Sequence, residues 1–385
     1  MRPAGARAPV PFFAILALIL SAAVAGGPAA ALAAARRGIN LWWTAVLPGL
    51  LPFFILSDLL QNLGVVRALG VLLEPVMRPL FNLPGAAGFA LALGFTSGQP
   101  GGVRAATRLV ADGLCTPEEG ARLAGFANAA GPLFVTGVTA VSLFRAPEAA
   151  PHLVIAHYGA ALLTGMLLGH LPPAGRPATR PAPPHRRGRA GALAQAWKAL
   201  EDAAQAAPPA GNLLGNAVRQ GVELILLVGG FIVLFSVVLG VVEAHALDRW
   251  LAGPLAWAFR RVGLPGELAG AAVAGFLEVT AGVSRAAAAS GPLAARMTVA
   301  AAILAWSGLS IHAQAAALLA TAKLSYPRFL QGRLIQLVLS PLLYLAASTL
   351  SPGPAHPALA LPPAPAGGPL QIFACTAAAF GLCLA

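Results

Sequence analysis

Side chains able to do chemistry are scarce in this chain, and they gather in a few short stretches. The first is Gly94-Phe95-Thr96-Ser97-Gly98-Gln99-Pro100-Gly101-Gly102, which sets Thr96, Ser97 and Gln99 inside an apolar run from Leu83 to Val103. Asn128 follows in a second apolar run, beside Gly131 and Pro132. Glu278 and Thr280 interrupt a third, and Trp306-Ser307-Gly308-Leu309-Ser310-Ile311-His312-Ala313-Gln314 adds Ser307, Ser310, His312 and Gln314. Neutral hydroxyls and amides with one carboxylate suit the binding of a small solute or ion. Covalent catalysis needs other equipment. Neither lysine, Lys198 or Lys323, sits in a Gly-Lys-Ser/Thr phosphate loop, and there is no Gly-x-Ser-x-Gly elbow and no His-Glu-x-x-His. The cysteines, Cys115, Cys375 and Cys383, form no CxxC pair. We expect no enzymatic activity, no metal and no cofactor.

A single serine or threonine in such a run usually hydrogen-bonds one helix to the next. The backbone around these residues argues for more. Gly98, Gly101 and Gly102 with Pro100 are poor material for a continuous helix. Hydrocarbon tolerates broken backbone only where protein buries it or where it lines a wet cavity. The stretch is therefore either a helix break that builds a site or a loop just outside the membrane.

A second copy favours the break. At an offset of 181 residues, 83–106 aligns with 264–287 without a gap and with ten identities in 24 positions. Leu83-Pro84-Gly85 falls on Leu264-Pro265-Gly266, Gly94-Phe95 on Gly275-Phe276, Gly101 on Gly282, and Arg104 on Arg285. Tandem repeats with interrupted helices in matching positions mark binding sites in membrane transporters. The repeat predicts helix breaks near Gly98–Gly101 and near Val279–Gly282.

Glu278 stands apart because a carboxylate at membrane depth is costly. Three arrangements would offset it. Arg285 lies on the same face if the helix is continuous, and Arg104 reaches it from the other repeat if the break is real. Alternatively Glu278 faces a cavity and takes a proton or a cation. Asp58 and Glu223 lie nearer the ends of their spans and read as interfacial.

These residues need membrane helices to position them. Of 385 residues 58% are hydrophobic and 10% charged, with mean hydropathy +0.76, where a soluble domain carries about 25% charged residues. The fold class is all-α and polytopic, with the lipid bilayer as its first partner. The net charge of +12 lies between apolar segments, which fits cytoplasmic loops and not nucleic-acid binding. An N-terminal transmembrane helix is expected in 1–37, running from Val10 to about Ala35, although its alanine-rich end can also be read as a signal-peptide cleavage region. The first repeat occupies 38–171 and the second 211–350. Residues 65–82 and 244–262 mix arginine with apolar residues and read as helices lying along the membrane surface, or as short connectors. Thr116-Pro117-Glu118-Glu119 spells a capped helix start. The proline-, alanine- and arginine-rich stretch 172–210 reads as a flexible cytoplasmic linker. Residues 351–368 lack lysine and arginine and suit an exterior loop before a short apolar segment ending at 385. Eight to ten membrane segments are expected in all, whether the broken ones cross or turn back.

Three motifs carry a family resemblance. Gly94–Gly102, Gly113–Leu123 and Phe126–Phe134 resemble the YlbJ-type sporulation integral membrane proteins of the nucleoside-recognition or Gate superfamily, and 306–314 is similar to the matching signature in the second half. The resemblance covers roughly 40–350. It implies two Gate repeats with broken or re-entrant helices at the centre, and a role in spore cortex formation. The setting it implies is the mother-cell or forespore membrane of an endospore former. It names no substrate, whether small molecule or ion, and leaves the oligomeric state open, a homo-oligomer included. Two functions compete. One is binding or moving a small solute between the repeats, and the other is a non-transporting assembly factor whose breaks only pack helices.

Overall fold

The computed structural model describes residues 10–171, 189–206 and 209–350, and among these every regular element is helical. The apolar start divides into α1 (Val10–Gly26) and α2 (Pro28–Leu41), which meet at a bend of 108°. This corrects the single helix expected over Val10–Ala35. Gly27 caps and Pro28 takes the first helical position, so the chain ends one helix and starts another. A π-helical turn at Trp42–Val46 leads into α3 (Leu47–Asn62), and α4 (Val65–Phe81) leaves α3 at 82°.

The first polar stretch separates α5 (Ala87–Ser97) from α6 (Gly101–Ala111). Each has 11 residues, about 16 Å of helix against a hydrocarbon core of about 30 Å, so neither crosses alone. The two helices do not continue one another. Gly94 and Gly102 would lie about 12 Å apart along a straight helix. Instead, a Cβ on Gly94 would stand 2.9 Å from Gly102 Cα. The chain has turned back. In the second repeat α12 (Leu268–Leu277) and α13 (Val279–Ala288) do the same, and a Cβ on Gly282 would lie 2.2 Å from Gly275 Cα. Each repeat therefore holds a hairpin whose arms touch through glycine. The second turn falls at Glu278 alone, just ahead of the expected Val279–Gly282, because Gly282 is needed inside α13 for this contact.

An interrupted segment follows each hairpin. In the first repeat α7 (Pro117–Ala127) opens with the expected capping box, Thr116 and Glu119 each satisfying the other's backbone N–H. It stops at Asn128 and resumes as a π-helical stretch, Leu133–Leu143. In the second, α14 (Leu293–Trp306) and α15 (Gly308–Thr321) are interrupted at Ser307. The long helices α8 (Ala150–His170), α10 (Ala210–Ala244) and α16 (Tyr326–Leu350) complete the frame. Among the described residues four helical stretches can cross a membrane by length and composition, or up to six if each bent pair counts as one. The expected eight to ten segments also counted hairpin arms that turn back, which are too short to span, and an apolar segment at 369–385, which lies outside the described residues.

The repeats are interlocked. One buried cluster holds Phe89, Leu109, Leu123 and Phe126 of the first repeat together with Leu319 and Phe329 of the second. The other holds Leu268, Val283, Met297 and Leu304 of the second together with Val135 and Leu153 of the first. Each interrupted segment thus begins in its own repeat's core and ends in the other's. The crossing point is where the interruptions lie.

The helix α11 (Leu247–Arg261) buries none of its residues and leaves Trp250 and Trp257 outward, as expected of a helix lying on a surface. Its repeat mate α4 is covered by α9 (Arg189–Ala206), since a Cβ on Gly64 would stand 2.4 Å from Ala203 Cβ. That covering helix occupies half of the stretch read as a flexible linker. Residues 189–206 are alanine-rich and free of proline, and alanine is the strongest helix former. Residues 172–188 of the linker and the whole of 351–385 lie outside the described residues.

Candidate functional site

The backbone broken at 128–132 must find partners, and the list of those partners defines the centre of the molecule. Ala130 N–H donates to His157 Nε2 at 2.9 Å, and Tyr158 Oη–H donates to Ala130 O at 2.8 Å. Gln99 Nε2, at the first hairpin tip, donates to Asn128 O at 3.0 Å and to Ser307 Oγ at 2.5 Å. From α16, Arg333 donates through Nη1 to Asn128 O at 2.8 Å, to Ala305 O at 3.3 Å and to Ser307 Oγ at 3.5 Å. Its Nε and Nη2 reach Gly125 O at 3.1 and 2.8 Å, and Nη2 also meets Gln336 Oε1. Asn128, Ser307 and Arg333 are all 0% exposed. Irregular backbone at membrane depth is here buried and satisfied by protein, as hydrocarbon requires.

Each hairpin tip rests on an interruption through glycine. A Cβ on Gly98 would lie 2.9 Å from Gly131 N, and one on Gly308 would lie 3.0 Å from Val279 N. Both glycines have positive φ, 82° and 79°, which a side chain would strain further. Tip and interruption repeat with the sequence.

Of the expected site residues, the structure brings Gln99, Asn128 and Ser307 together directly. Glu278 sits at the other tip, against Gly308, and Thr280 lies in the first turn of α13 beside it. Ser310 and Gln314 are buried on α15, and neither polar atom of the Gln314 amide has a hydrogen-bond partner among the described residues. His312 is held in an aromatic cluster, with Nδ1 2.9 Å from Tyr326 Oη, Nε2 3.1 Å from Trp306 O, and its ring stacked on Trp306. Thr96 and Ser97 donate within their own helix, to Ala92 O and Leu93 O, so these two hydroxyls satisfy backbone.

The arginine pairings with Glu278 are corrected. Arg285 binds Glu243 at 2.6 Å and Asp248 at 3.1 Å, and Arg104 lies 3.8 Å from Asp58. Each repeat's arginine meets acids of its own repeat. Glu278 instead caps α13, its carboxylate accepting from Thr280 N–H at 3.0 Å and Ala281 N–H at 2.7 Å. An extended backbone at 278 turns the carboxylate onto the free N–H groups of the next helix.

A cavity of about 660 Å3 lies between α3, α6, α10 and α15. Asp58, Gln61, Arg104, Arg108, Glu223 and Lys323 line it, which places both Asp58 and Glu223 on its wall. Arg104 Nη1 and Gln61 Oε1 are buried with no hydrogen-bond partner among the described residues. Phe54, 1% exposed, packs with the wall residues Leu224 and Leu318. A Cβ on Gly101, in the first hairpin, would be 3.8 Å from the Phe54 ring. Phe54 thus contacts both the cavity wall and the first hairpin.

His157, Tyr158 and Arg333 were not among the residues expected here. For His157 and Tyr158 no local pattern distinguishes them from other polar residues in a span. For Arg333 a signal existed: Arg333, Gln336 and Ser340 follow at i, i+3 and i+7, a single polar stripe on an apolar helix. Gln336 and Ser340 each donate to a backbone carbonyl of an interrupted segment, Phe126 O and Ala301 O.

The Gln99–Ser307 bond is the direct side-chain link between a hairpin of one repeat and an interruption of the other. A double-mutant cycle with Gln99→Leu and Ser307→Ala is expected to give a coupling of about 0.6 kcal/mol and at most about 1.7 kcal/mol. Unfolding of the purified protein measures it, and a coupling of zero removes the link.

Comparison with known proteins bears on this arrangement. The Gate nucleoside-recognition family matches residues 43–147, which hold the first hairpin and the first interruption. The sporulation integral membrane protein YlbJ of Bacillus subtilis (strain 168) is 36% identical over 328 residues, covering 83% of this chain and 78% of the relative. No solved structure matches the chain. The relative is matched over most of both chains, and the Gate match covers the broken helices, so this chain is a multi-pass membrane protein belonging to the YlbJ family of sporulation integral membrane proteins.

Proposed function

We propose that this protein acts in endospore formation, at the stage of the spore cortex, by binding a small solute between its two repeats and passing it across the membrane. The observation that carries the reading is the buried amide of Asn128. It is 0% exposed and lies at the crossing of the repeats, yet neither its Nδ2 nor its Oδ1 has a hydrogen-bond partner among the described residues. An unmatched donor and acceptor side by side is the equipment with which asparagine reads the edge of a nucleobase. The family description, nucleoside recognition, agrees with that chemistry. In this reading the charged cavity is the approach, Phe54 closes it from the hairpin, and Gln99, Asn128 and Ser307 form the inner site. Thr280, Ser310 and Gln314 are assigned to the second repeat's share of the solute path. The contributions of Thr96, Ser97 and His312 are to hold helices.

A second reading is favoured by one observation. The tips and interruptions touch through Gly98–Gly131 and Gly308–Val279, closely enough to leave no space between them. Packing of that kind suits a scaffold for partner proteins. One experiment separates the two. The chain, or its Asn128→Leu variant, replaces the relative in Bacillus subtilis, and purified protein is reconstituted in vesicles with labelled nucleosides. Transport predicts restored heat-resistant spores and uptake with the natural chain and loss of both with Asn128→Leu. Normal spores from a variant that accumulates normally and moves no nucleoside favour the scaffold.

A further inference from the structure

We infer that the crossing point of the two repeats is a cation site, and that the chain fills it permanently with its own Arg333. The acceptors come first. Gly125 O and Asn128 O belong to the C-terminal end of α7, and Ala305 O to that of α14. The last carbonyls of a helix have no partner inside it and carry the negative end of its dipole. Here two such ends, one from each repeat, point at the same place, and Ser307 Oγ and Gln336 Oε1 complete the ring of oxygens. Half-helix C-terminal ends arranged in this way coordinate monovalent cations in membrane proteins.

The occupant is the second observation. Arg333 is 0% exposed, and among the described residues no carboxylate lies within ion-pair distance of it. A buried guanidinium is ordinarily matched by an acid. This one is matched by oxygens that carry only partial charge, and each of its three nitrogens donates to at least one of them. The charge balance is that of a coordinated ion, with the ion tethered to α16. The tether also explains why two helix ends of like polarity can converge. Without a cation they would repel, and the interlocked crossing would open.

The inference does not depend on whether a solute moves. Purified full-length Arg333→Ala is compared with the natural protein in thermal unfolding, in guanidinium chloride, sodium chloride or choline chloride at equal ionic strength. Arg333→Ala is expected to unfold about 10 °C lower, as a site that has lost a buried ion. Low-millimolar guanidinium should raise its midpoint saturably while leaving the natural protein unmoved, with choline inert. Rescue by guanidinium, with or without sodium, supports a cation site. No rescue, or an equal shift in both proteins, overturns it. Should Arg333→Ala fail to accumulate, membrane levels of Arg333→Lys and Arg333→Met decide. Lysine keeps the charge and methionine only the length, so Lys above Met supports the site and equal levels overturn it.

Discussion

Gly94→Ala is expected to remove the folded protein from the membrane, although it adds a single methyl group. The new Cβ would stand 2.0 Å from Ala127 O and 2.9 Å from Gly102 Cα. Neither atom is the end of a flexible side chain. Ala127 O belongs to the last turn of α7, and Gly102 to the opposite arm of the hairpin, so relief requires backbone to move. Overpacking a well-packed interior typically costs 1–3 kcal/mol, and here about 3 kcal/mol or more is expected because two backbones are displaced together. A loss of that size is a large share of the stability of an ordinary domain. Gly282→Ala should behave alike in the second repeat, where the contact is 2.2 Å to Gly275 Cα. Gly270→Ala provides the control, since nothing lies within 4 Å of its added Cβ. Membrane levels of the three variants, with thermal unfolding of those that accumulate, are the measurement. Equal accumulation of all three would mean that the hairpin arms do not touch.

The same glycines show how far the sequence could be read. Gly94, Gly101 and Arg104 recur at Gly275, Gly282 and Arg285, so the repeat and the position of its breaks were visible. The direction of the chain after the break was not. Arms of 11 and 10 residues have the same composition whether they cross or turn back, and the answer lies in a contact between residues seven or eight apart. At the N-terminus Gly26-Gly27-Pro28 is a break signal in plain sight, outweighed by the apolar run around it. The linker misled in the opposite way. Its arginines and prolines suggested an unstructured segment, yet no proline falls between Arg189 and Ala206, and the alanines there build α9.

The site was legible in proportion to how local it is. Gln99, Asn128 and Ser307 each announce themselves by a polar side chain within three residues of a glycine in an apolar run. Their meeting does not, because the three are joined only by the exchange of interrupted segments between the two cores. Arg333 reaches Gly125 O from 208 positions away, and nothing near either residue encodes that distance. The arginines that were legible, Arg104 and Arg285, drew attention to Glu278 as a partner. Their true partners, Asp58 on α3 and Glu243 with Asp248 at the end of α10 and the start of α11, precede each hairpin in the chain.

Glu278→Gln is expected to leave the protein inserted and folded while heat-resistant spores fall by several orders of magnitude. A carboxylate at the bilayer centre costs about 2.5–3.5 kcal/mol on the insertion scale. No arginine offsets it here, since Arg285 and Arg104 are held by other acids. The offset is local. Two backbone N–H groups at the start of α13 bind the two carboxylate oxygens at 3.0 and 2.7 Å. A cap of this kind contributes about 1 kcal/mol, and the helix dipole adds up to about 2 kcal/mol for a negative charge in partly buried geometry. The gains nearly equal the cost, so the charge is close to neutral for stability. Glutamine keeps one acceptor oxygen for the cap and sheds the desolvation cost along with the dipole gain, and a net change within about 1 kcal/mol follows. Glu278→Ala loses the cap altogether and should be less stable than Glu278→Gln by about 1 kcal/mol. The first repeat has Ser97 at the matching position, with its hydroxyl turned back to Leu93 O, so the fold of a hairpin tip does not require a carboxylate. A charge that stability does not need and the repeat does not demand is expected to serve function, at a tip that touches the interruption at Gly308. Spore counts and membrane levels of Glu278→Gln are measured together. Normal spores remove the charge from the function, and loss of the protein from the membrane assigns the carboxylate to the fold.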